Sequence, residues 1–128
     1  MATWIDNTTE ILSISEMYKV DEEACAKGVT SLKLMESAGA AIAEVVQKNY
    51  EGGRILILCG LGNNGGDGFV AAKLLKDSGR NVRVVCLGAI DEIKGDARES
   101  ASNWTGEICP FTPSIFEDTQ VVVDALYG

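Results

Sequence analysis

The stretch Gly60-Leu61-Gly62-Asn63-Asn64-Gly65-Gly66-Asp67-Gly68 decides the fold, and it follows directly on the apolar run Ile55-Leu56-Ile57-Leu58-Cys59. Five glycines in nine residues are costly inside a helix or a strand, because glycine loses the most backbone entropy on ordering. The run before them is typical of a buried strand, and residues 69–76 are typical of a helix. Backbone N–H groups and the helix dipole converge where a strand, a glycine loop and a helix start meet. The sequence therefore predicts a site for a nucleotide or another phosphorylated ligand at this loop.

Bulk composition indicates one soluble globular domain. A chain of 128 residues with 46% hydrophobic and 23% charged residues can bury an ordinary core. The net charge of −8 argues against nucleic acid or an anionic membrane as a partner. It does not argue against one phosphorylated ligand, which oriented amides can bind. No apolar run approaches the roughly 18 residues of a membrane span, and no signal-peptide pattern is present, so we expect a cytoplasmic protein.

Histidine is absent from the sequence, which excludes Ser-His-Asp and Cys-His catalysis and the usual zinc sites within this chain. Proton transfer must therefore use Asp, Glu, Lys, Tyr, Cys or water. The four cysteines, at positions 25, 59, 86 and 109, include no Cys-x-x-Cys pair. Since Cys59 and Cys86 fall in apolar, strand-like runs, we expect buried, reduced thiols.

Helical and strand patterns alternate along the chain. Helices are predicted near residues 13–27, 30–50, 66–78 and 93–104, and strands near residues 54–59, 82–87, 107–109 and 120–124. This alternation predicts a three-layer α/β/α sandwich with a Rossmann-like, mostly parallel sheet, preceded by two N-terminal helices.

The spacing Gly60-x-Gly62-x-x-Gly65 also matches the dinucleotide-binding fingerprint. The full fingerprint needs an acidic residue at the end of the second strand to bind the ribose. Here that strand ends in Cys86-Leu87-Gly88, and Asp91 follows three residues later. An NAD(P)-dependent oxidoreductase is thus one alternative, and a structural strand-to-helix connection capped by Asp67 is another.

Asp124 follows Val121-Val122-Val123 at the end of the last predicted strand. Ligands of open α/β sheets bind beyond the carboxyl ends of the strands, so Asp124 and the glycine loop should lie at the same edge. An Asn oxygen from the loop and the Asp124 carboxylate would suit a hard cation. The alternative is a carboxylate that accepts backbone N–H bonds in a turn.

Three motifs occur in order along the chain: Leu34-Met35-Glu36-Ser37-Ala38-Gly39, the loop from Gly62 to Gly68, and Asp124-Ala125-Leu126-Tyr127-Gly128. The identity and order of these motifs resemble those of the YjeF N-terminal domain family, which contains the NAD(P)H-hydrate epimerases. The similarity runs from about Ile11 to Gly128. The resemblance implies a metabolite-repair isomerase that interconverts the R and S epimers of hydrated NADH or NADPH. It also implies coupling to a dehydratase that acts on the S form. A non-catalytic binding or scaffold module of the same fold is a further alternative, since relatives of this domain occur in mRNA-decapping scaffold proteins.

The resemblance also implies roles for individual residues, although it identifies no catalytic residue in this chain. It implies a potassium ion bound by Asn64 and Asp124, and contacts to the hydrated dinucleotide from Asn63, Asn64, Gly65, Gly66, Asp67 and Gly128. By the same resemblance, residues 1–128 form a single domain, incomplete at its C-terminal end, of a homodimeric protein. The strand at 120–124 would then present an unpaired edge that favours association.

Overall fold

A computed structural model describes residues 3–4 and 30–127. The elements are β1 (Thr3–Trp4), α1 (Ser31–Asn49), β2 (Arg54–Cys59), α2 (Asn63–Asp77), β3 (Asn81–Cys86), α3 (Gly95–Ser102), β4 (Ile108–Cys109) and β5 (Thr119–Ala125). Short 3-10 turns at Ile90–Glu92 and Pro113–Phe116 precede α3 and β5. The helix predicted at 13–27 lies outside the described residues, as do Cys25 and Gly128.

The sheet has the strand order β1-β5-β2-β3-β4, and the prediction of a mostly parallel sheet is confirmed. Strands β2, β3, β4 and β5 run parallel, and β1 pairs antiparallel with β5. Strand β2 is central, and its residues from Ile55 to Cys59 are all buried. A continuous aliphatic run suits this position, because a central parallel strand is covered on both faces.

The edge of β5 is covered where the sequence pattern predicts an unpaired one. Thr3 pairs with Asp124 and Trp4 with Val123, so the expectation of an open edge is wrong at these two positions. The physical reason is backbone pairing: two residues with no strand pattern of their own supply an antiparallel partner to β5. Pairing of this kind depends on backbone N–H and C=O groups, which every residue type except proline carries in full.

All three described helices pack on one face of the sheet, where they share a core with the inward side chains of the strands. Helix α1 begins after Thr30, whose hydroxyl accepts a hydrogen bond from Lys33 N at 3.2 Å. It buries residues at helical spacing, namely Met35, Gly39, Ile42, Ala43 and Val46. These contact sheet residues such as Ile57 and Val123 through one continuous cluster.

The opposite face of the sheet carries Leu56, Leu58 and Val85. Within the described residues this face is covered by Ile115 of the Pro113–Phe116 turn rather than by a helix. The α/β class is therefore confirmed, whereas the second helical layer of the predicted sandwich is not formed by the described residues. No described helix is long and apolar enough to cross a lipid bilayer.

Candidate functional site

The glycine-rich stretch forms the first turns of α2, whereas the sequence predicts a loop there. The helix begins at Asn63, and its first internal hydrogen bond runs from Gly66 N to Gly62 O at 3.2 Å. Gly62 is the N-cap in an extended conformation and provides no side-chain cap. The alternative in which Asp67 caps the helix is therefore wrong. Helix geometry directs the amides of this first turn out of the N-terminal end, which is the arrangement that attracts an anion.

Close packing explains why glycines are retained in the helix. A Cβ at Gly65 would overlap the carbonyl oxygen of Gly60. A Cβ at Gly68 would lie 2.8 Å from Cys59 Sγ and 2.9 Å from Ala125 Cβ. The entropic cost of glycine is thus offset by the direct approach of α2 to the ends of β2 and β5.

Two residues of α1 contact the start of α2. The small residues at 38–41 predict that another element packs closely there, but the sequence did not identify α2 as that element or assign a role to Met35. A Cβ at Gly66 would lie 2.7 Å from Met35 Cε, and a Cβ at Gly39 would lie 2.9 Å from the Asp67 carbonyl oxygen. The Met35 thioether also accepts a hydrogen bond from the buried Ser100 hydroxyl at 3.3 Å. Gly39 lies at a buried position of the α1 pattern. A glycine inside a helix often marks a place where another helix packs closely, so Gly39 was the sequence signal for this contact.

The carboxyl ends of β2, β3 and β5 lie at one edge of the sheet, together with the start of α2. Gly60 N donates to Ala125 O at 2.9 Å, and Leu87 N donates to Cys59 O at 2.9 Å. The predicted proximity of the glycine-rich stretch and the end of the last strand is therefore confirmed. Within this stretch Asn64 is 2% exposed, Asn63 is exposed and Asp67 is half-buried.

Asp124 lies near the end of β5, where it pairs with Leu58 of β2. Its Oδ1 accepts a hydrogen bond from Leu126 N at 3.1 Å, which is the turn interaction considered as the alternative to metal binding. Val121 and Val123 contact the helix-covered core, so strand alternation places Asp124 toward the opposite face. The structure thus brings Asp124 and Asn64 to one edge of the sheet, with α2 across one face and the carboxylate toward the other.

The donor set at this edge suits a hard cation. The described residues contain no group of three or more His, Cys, Asp or Glu side chains that could hold a metal ion. Asn64 and Asp124 offer amide and carboxylate oxygens, which are ligands typical of hard cations. These two side chains are therefore chemically compatible with the potassium ion that the family resemblance implies.

The end of β3 provides no carboxylate. The strand ends at Cys86, and the nearest acidic residues, Asp91 and Glu92, lie in the exposed Ile90–Glu92 turn. The strand–turn–helix geometry of a dinucleotide site is present, but the ribose-binding acid of a nicotinamide-dependent oxidoreductase is missing from its usual place. This absence weighs against the oxidoreductase alternative.

The described cysteines are free thiols, as the sequence predicts. Burial raises the pKa of Cys59, and the neighbouring Cys86 thiol raises it further. Burial also raises the pKa of Cys86, its partner in the β2–β3 register. Both thiols therefore stay protonated near neutral pH, which disfavours a nucleophilic role.

Comparison with known proteins assigns the family. A family model for the N-terminal domain of YjeF-related proteins matches residues 31–128. The chain belongs to the YjeF-related N-terminal domain family. The family match includes α1, the glycine-rich start of α2 and the end of β5, which are the elements that build the edge described above.

Individual members of this YjeF-related family align with most of the chain. A Rhodobacter capsulatus protein named NAD(P)H-hydrate epimerase is 40% identical, over 94% of this chain and 62% of its own length. A Methanospirillum hungatei protein named bifunctional NAD(P)H-hydrate repair enzyme Nnr is 37% identical, over 92% of this chain and 26% of its own length. The chain therefore spans less than two thirds of the length of either relative.

A solved structure shows the same fold. The crystal structure of yeast ynu0 superimposes with a TM-score of 0.58 at 25% sequence identity, and the match covers 79% of this chain and 47% of the yeast chain. The Rossmann-like arrangement of this YjeF-type domain is thus shared with an experimentally determined structure.

Proposed function

We propose that this YjeF-type domain belongs to an NAD(P)H-hydrate epimerase, an isomerase that interconverts the R and S epimers of hydrated NADH and NADPH. One observation carries the proposal: the family's glycine motif forms the start of α2, with no side-chain cap, beside the carboxyl ends of β2 and β5. The names of the Rhodobacter capsulatus and Cenarchaeum symbiosum relatives support the reaction, at 40% identity in both cases.

The substrate would bind with its phosphates at the α2 start. The positive end of the helix dipole attracts an anion locally, although the chain as a whole carries a net charge of −8. Asn63 is exposed and Asp67 is half-buried in this turn, whereas Asn64, Gly65 and Gly66 are buried. The family motif assigns Gly128 to a second phosphate contact.

We further propose that a potassium ion binds Asn64 and Asp124. When bound, the ion would supply positive charge near the phosphates. Asn64 and Asp124 would hold the ion, and Asp124 Oδ1 also accepts the hydrogen bond from Leu126 N.

The partners follow from the same proposal. Epimerisation is useful when a dehydratase consumes the S epimer, and the bifunctional repair enzymes among the relatives have names consistent with that coupling. We propose a cytoplasmic homodimer that acts with such a dehydratase, either on the same polypeptide or as a separate protein.

An assay with the complete protein tests the activity. A mixture of R and S epimers is incubated with an S-specific dehydratase until the S form is exhausted, and the protein is then added. Renewed consumption of the R form is expected. No acceleration over the buffer control would contradict the proposal, and a change in reduced-cofactor absorbance without dehydratase would favour the oxidoreductase alternative.

The potassium site is tested by thermal melting of the complete protein in potassium and in tetramethylammonium. Asp124→Ala should lose the potassium-dependent rise in Tm and bind the dinucleotide more weakly, because one carboxylate serves the ion beside the phosphates. Asp91→Ala is the matched control, since Asp91 lies in an exposed turn. A full potassium-dependent shift in Asp124→Ala would show that Asp124 is not a ligand.

A further inference from the structure

The outer surface of the helical layer contains a groove of about 370 Å³ that lies away from the sheet edge. Helices α1 and α3 both pack against α2 and scarcely touch each other, so they form the walls and α2 forms the floor. The floor carries Val70, Lys73 and Leu74, and the walls include Ala40 of α1 and Asn103 of α3.

The floor of the groove is open to solvent. Lys73 and Leu74 are exposed and Val70 is half-buried. Beneath them, the buried residues of α2 combine small ones such as Gly68 with the large Phe69 and Leu75, which are fully buried in the core.

The groove combines apolar surface with an acidic rim. Leu74 is 38% exposed, and with the half-buried Val70 it supplies the apolar surface of the floor. Glu36 on one wall and Glu99 on the other are both exposed. The positive charge of Lys73 in the floor is balanced by Asp77, with an N–O distance of 2.8 Å. Within the described part of the chain neither Glu36 nor Glu99 forms a salt bridge, so negative charge flanks the floor on both sides.

We propose that this groove binds a basic amphipathic helix of a partner protein. Helical walls on both sides of a floor that carries Val70 and Leu74 suit the helix-in-groove mode, in which aliphatic side chains at positions i, i+3 and i+4 enter the groove. Lys or Arg side chains on both flanks of that stripe would face Glu36 and Glu99. A second copy of this chain is the less favourable occupant, because its net charge of −8 would meet an acidic rim. The inference is independent of the epimerase activity.

Two synthetic peptides test the proposal with the complete protein. The first has Leu at i, i+3, i+4 and i+7 with Lys on the flanks, and the second replaces every Lys by Glu. Fluorescence anisotropy should show saturable one-to-one binding of the Lys peptide and none of the Glu peptide. The affinity should fall with added salt, because exposed charges are screened over about 10 Å at 0.1 M ionic strength.

Variants of the chain locate the binding surface. Leu74→Lys should weaken binding of the Lys peptide by roughly tenfold or more, because it places a charge in the floor. The double variant Glu36→Lys, Glu99→Lys should lose the Lys peptide and gain the Glu peptide. Glu44→Lys is the matched control, since Glu44 is an exposed carboxylate on α1 that does not line the groove.

The outcomes separate the possibilities. Exchange of peptide preference in the double variant, with Glu44→Lys unchanged, supports the groove as the site. Equal binding by Leu74→Lys and the unaltered chain overturns the proposal. It is also overturned if the Lys peptide does not bind. A dimer that Leu74→Lys dissociates in sedimentation runs would then identify a second copy of the chain as the occupant.

Discussion

Gly65 and Gly68 lie on the same face of α2 but meet different kinds of neighbour. A Cβ at Gly65 would overlap backbone oxygen of Gly60, which no rotamer change can relieve. A Cβ at Gly68 would meet side-chain atoms at 2.8 to 3.2 Å, of which Cys59 Sγ can rotate whereas Ala125 Cβ moves only with its strand. Gly65→Ala should therefore reduce the free energy of unfolding by about 3 kcal/mol or more. Gly68→Ala should cost less, about 1–2 kcal/mol, because one of its neighbours can rotate and alanine's helix propensity offsets part of the strain. Urea denaturation ranks the two variants, and an equal or reversed order would contradict the packing account.

The buried Cys59 thiol makes the free energy of unfolding depend on pH in the alkaline range. Its pKa in the folded state lies above the ordinary value of 9.0, because burial and then Cys86 disfavour the thiolate. Above about pH 9 the unfolded chain releases a proton that the folded chain retains, so the free energy of unfolding falls as the pH rises. Cys59→Ala should flatten this decline between about pH 8 and 10. Val84→Ala is the control, because it creates a buried cavity without removing an ionisable group, and it should keep the full decline of unfolding free energy with pH. If Cys59→Ala also keeps the full decline, groups other than Cys59 cause it.

At the scale of elements, α2 shows where sequence reasoning succeeded and where it failed. The pattern predicted a strand, a glycine-rich loop and a helix. The strand and the helix are present, but most of the predicted loop forms the start of the helix. The helix start was predicted near residue 66 but lies at Asn63. The prediction counted the entropic cost of each glycine in a helix and left out the favourable packing of that helix against a strand distant in sequence. That packing joins Gly68 to Ala125, which are far apart in sequence.

The N-cap of α2 provides a test at the same scale. Gly62 has φ of −92° and ψ of −166°, an extended conformation that any residue can adopt. Gly62→Asp should cap the helix and raise the free energy of unfolding by about 0.5–1 kcal/mol. The added carboxylate would occupy the anion end, so the Tm shift induced by a dinucleotide should disappear. Gly62→Ala is the matched control and should keep that shift. If Gly62→Asp keeps it too, the ligand binds elsewhere.

At the scale of the whole molecule, local patterns predicted the parallel sheet and the common edge of Asp124 and the glycine-rich stretch. They did not predict that β1 pairs with β5, because Thr3 and Trp4 have no periodic pattern and contribute through backbone groups. They also did not show that the described helices all cover one face. Helical periodicity shows that a helix has an apolar side. Which of the two faces of the sheet that side covers depends on the path of the connecting chain.

The pairing of β1 with β5 yields a prediction about association. Removing residues 1–4 would uncover the backbone N–H and C=O groups of β5 at Val123 and Asp124. An open edge with an apolar strand behind it pairs readily with another chain, so the shortened protein should self-associate more than the unaltered one in sedimentation velocity runs at matched concentrations. The double substitution Thr3→Ala, Trp4→Ala is the control, because it changes two side chains but keeps the backbone that forms the ladder. If the shortened chain sediments like the unaltered protein, β1 does not protect the edge. If the control associates as much as the shortened chain, side chains rather than the backbone ladder limit association.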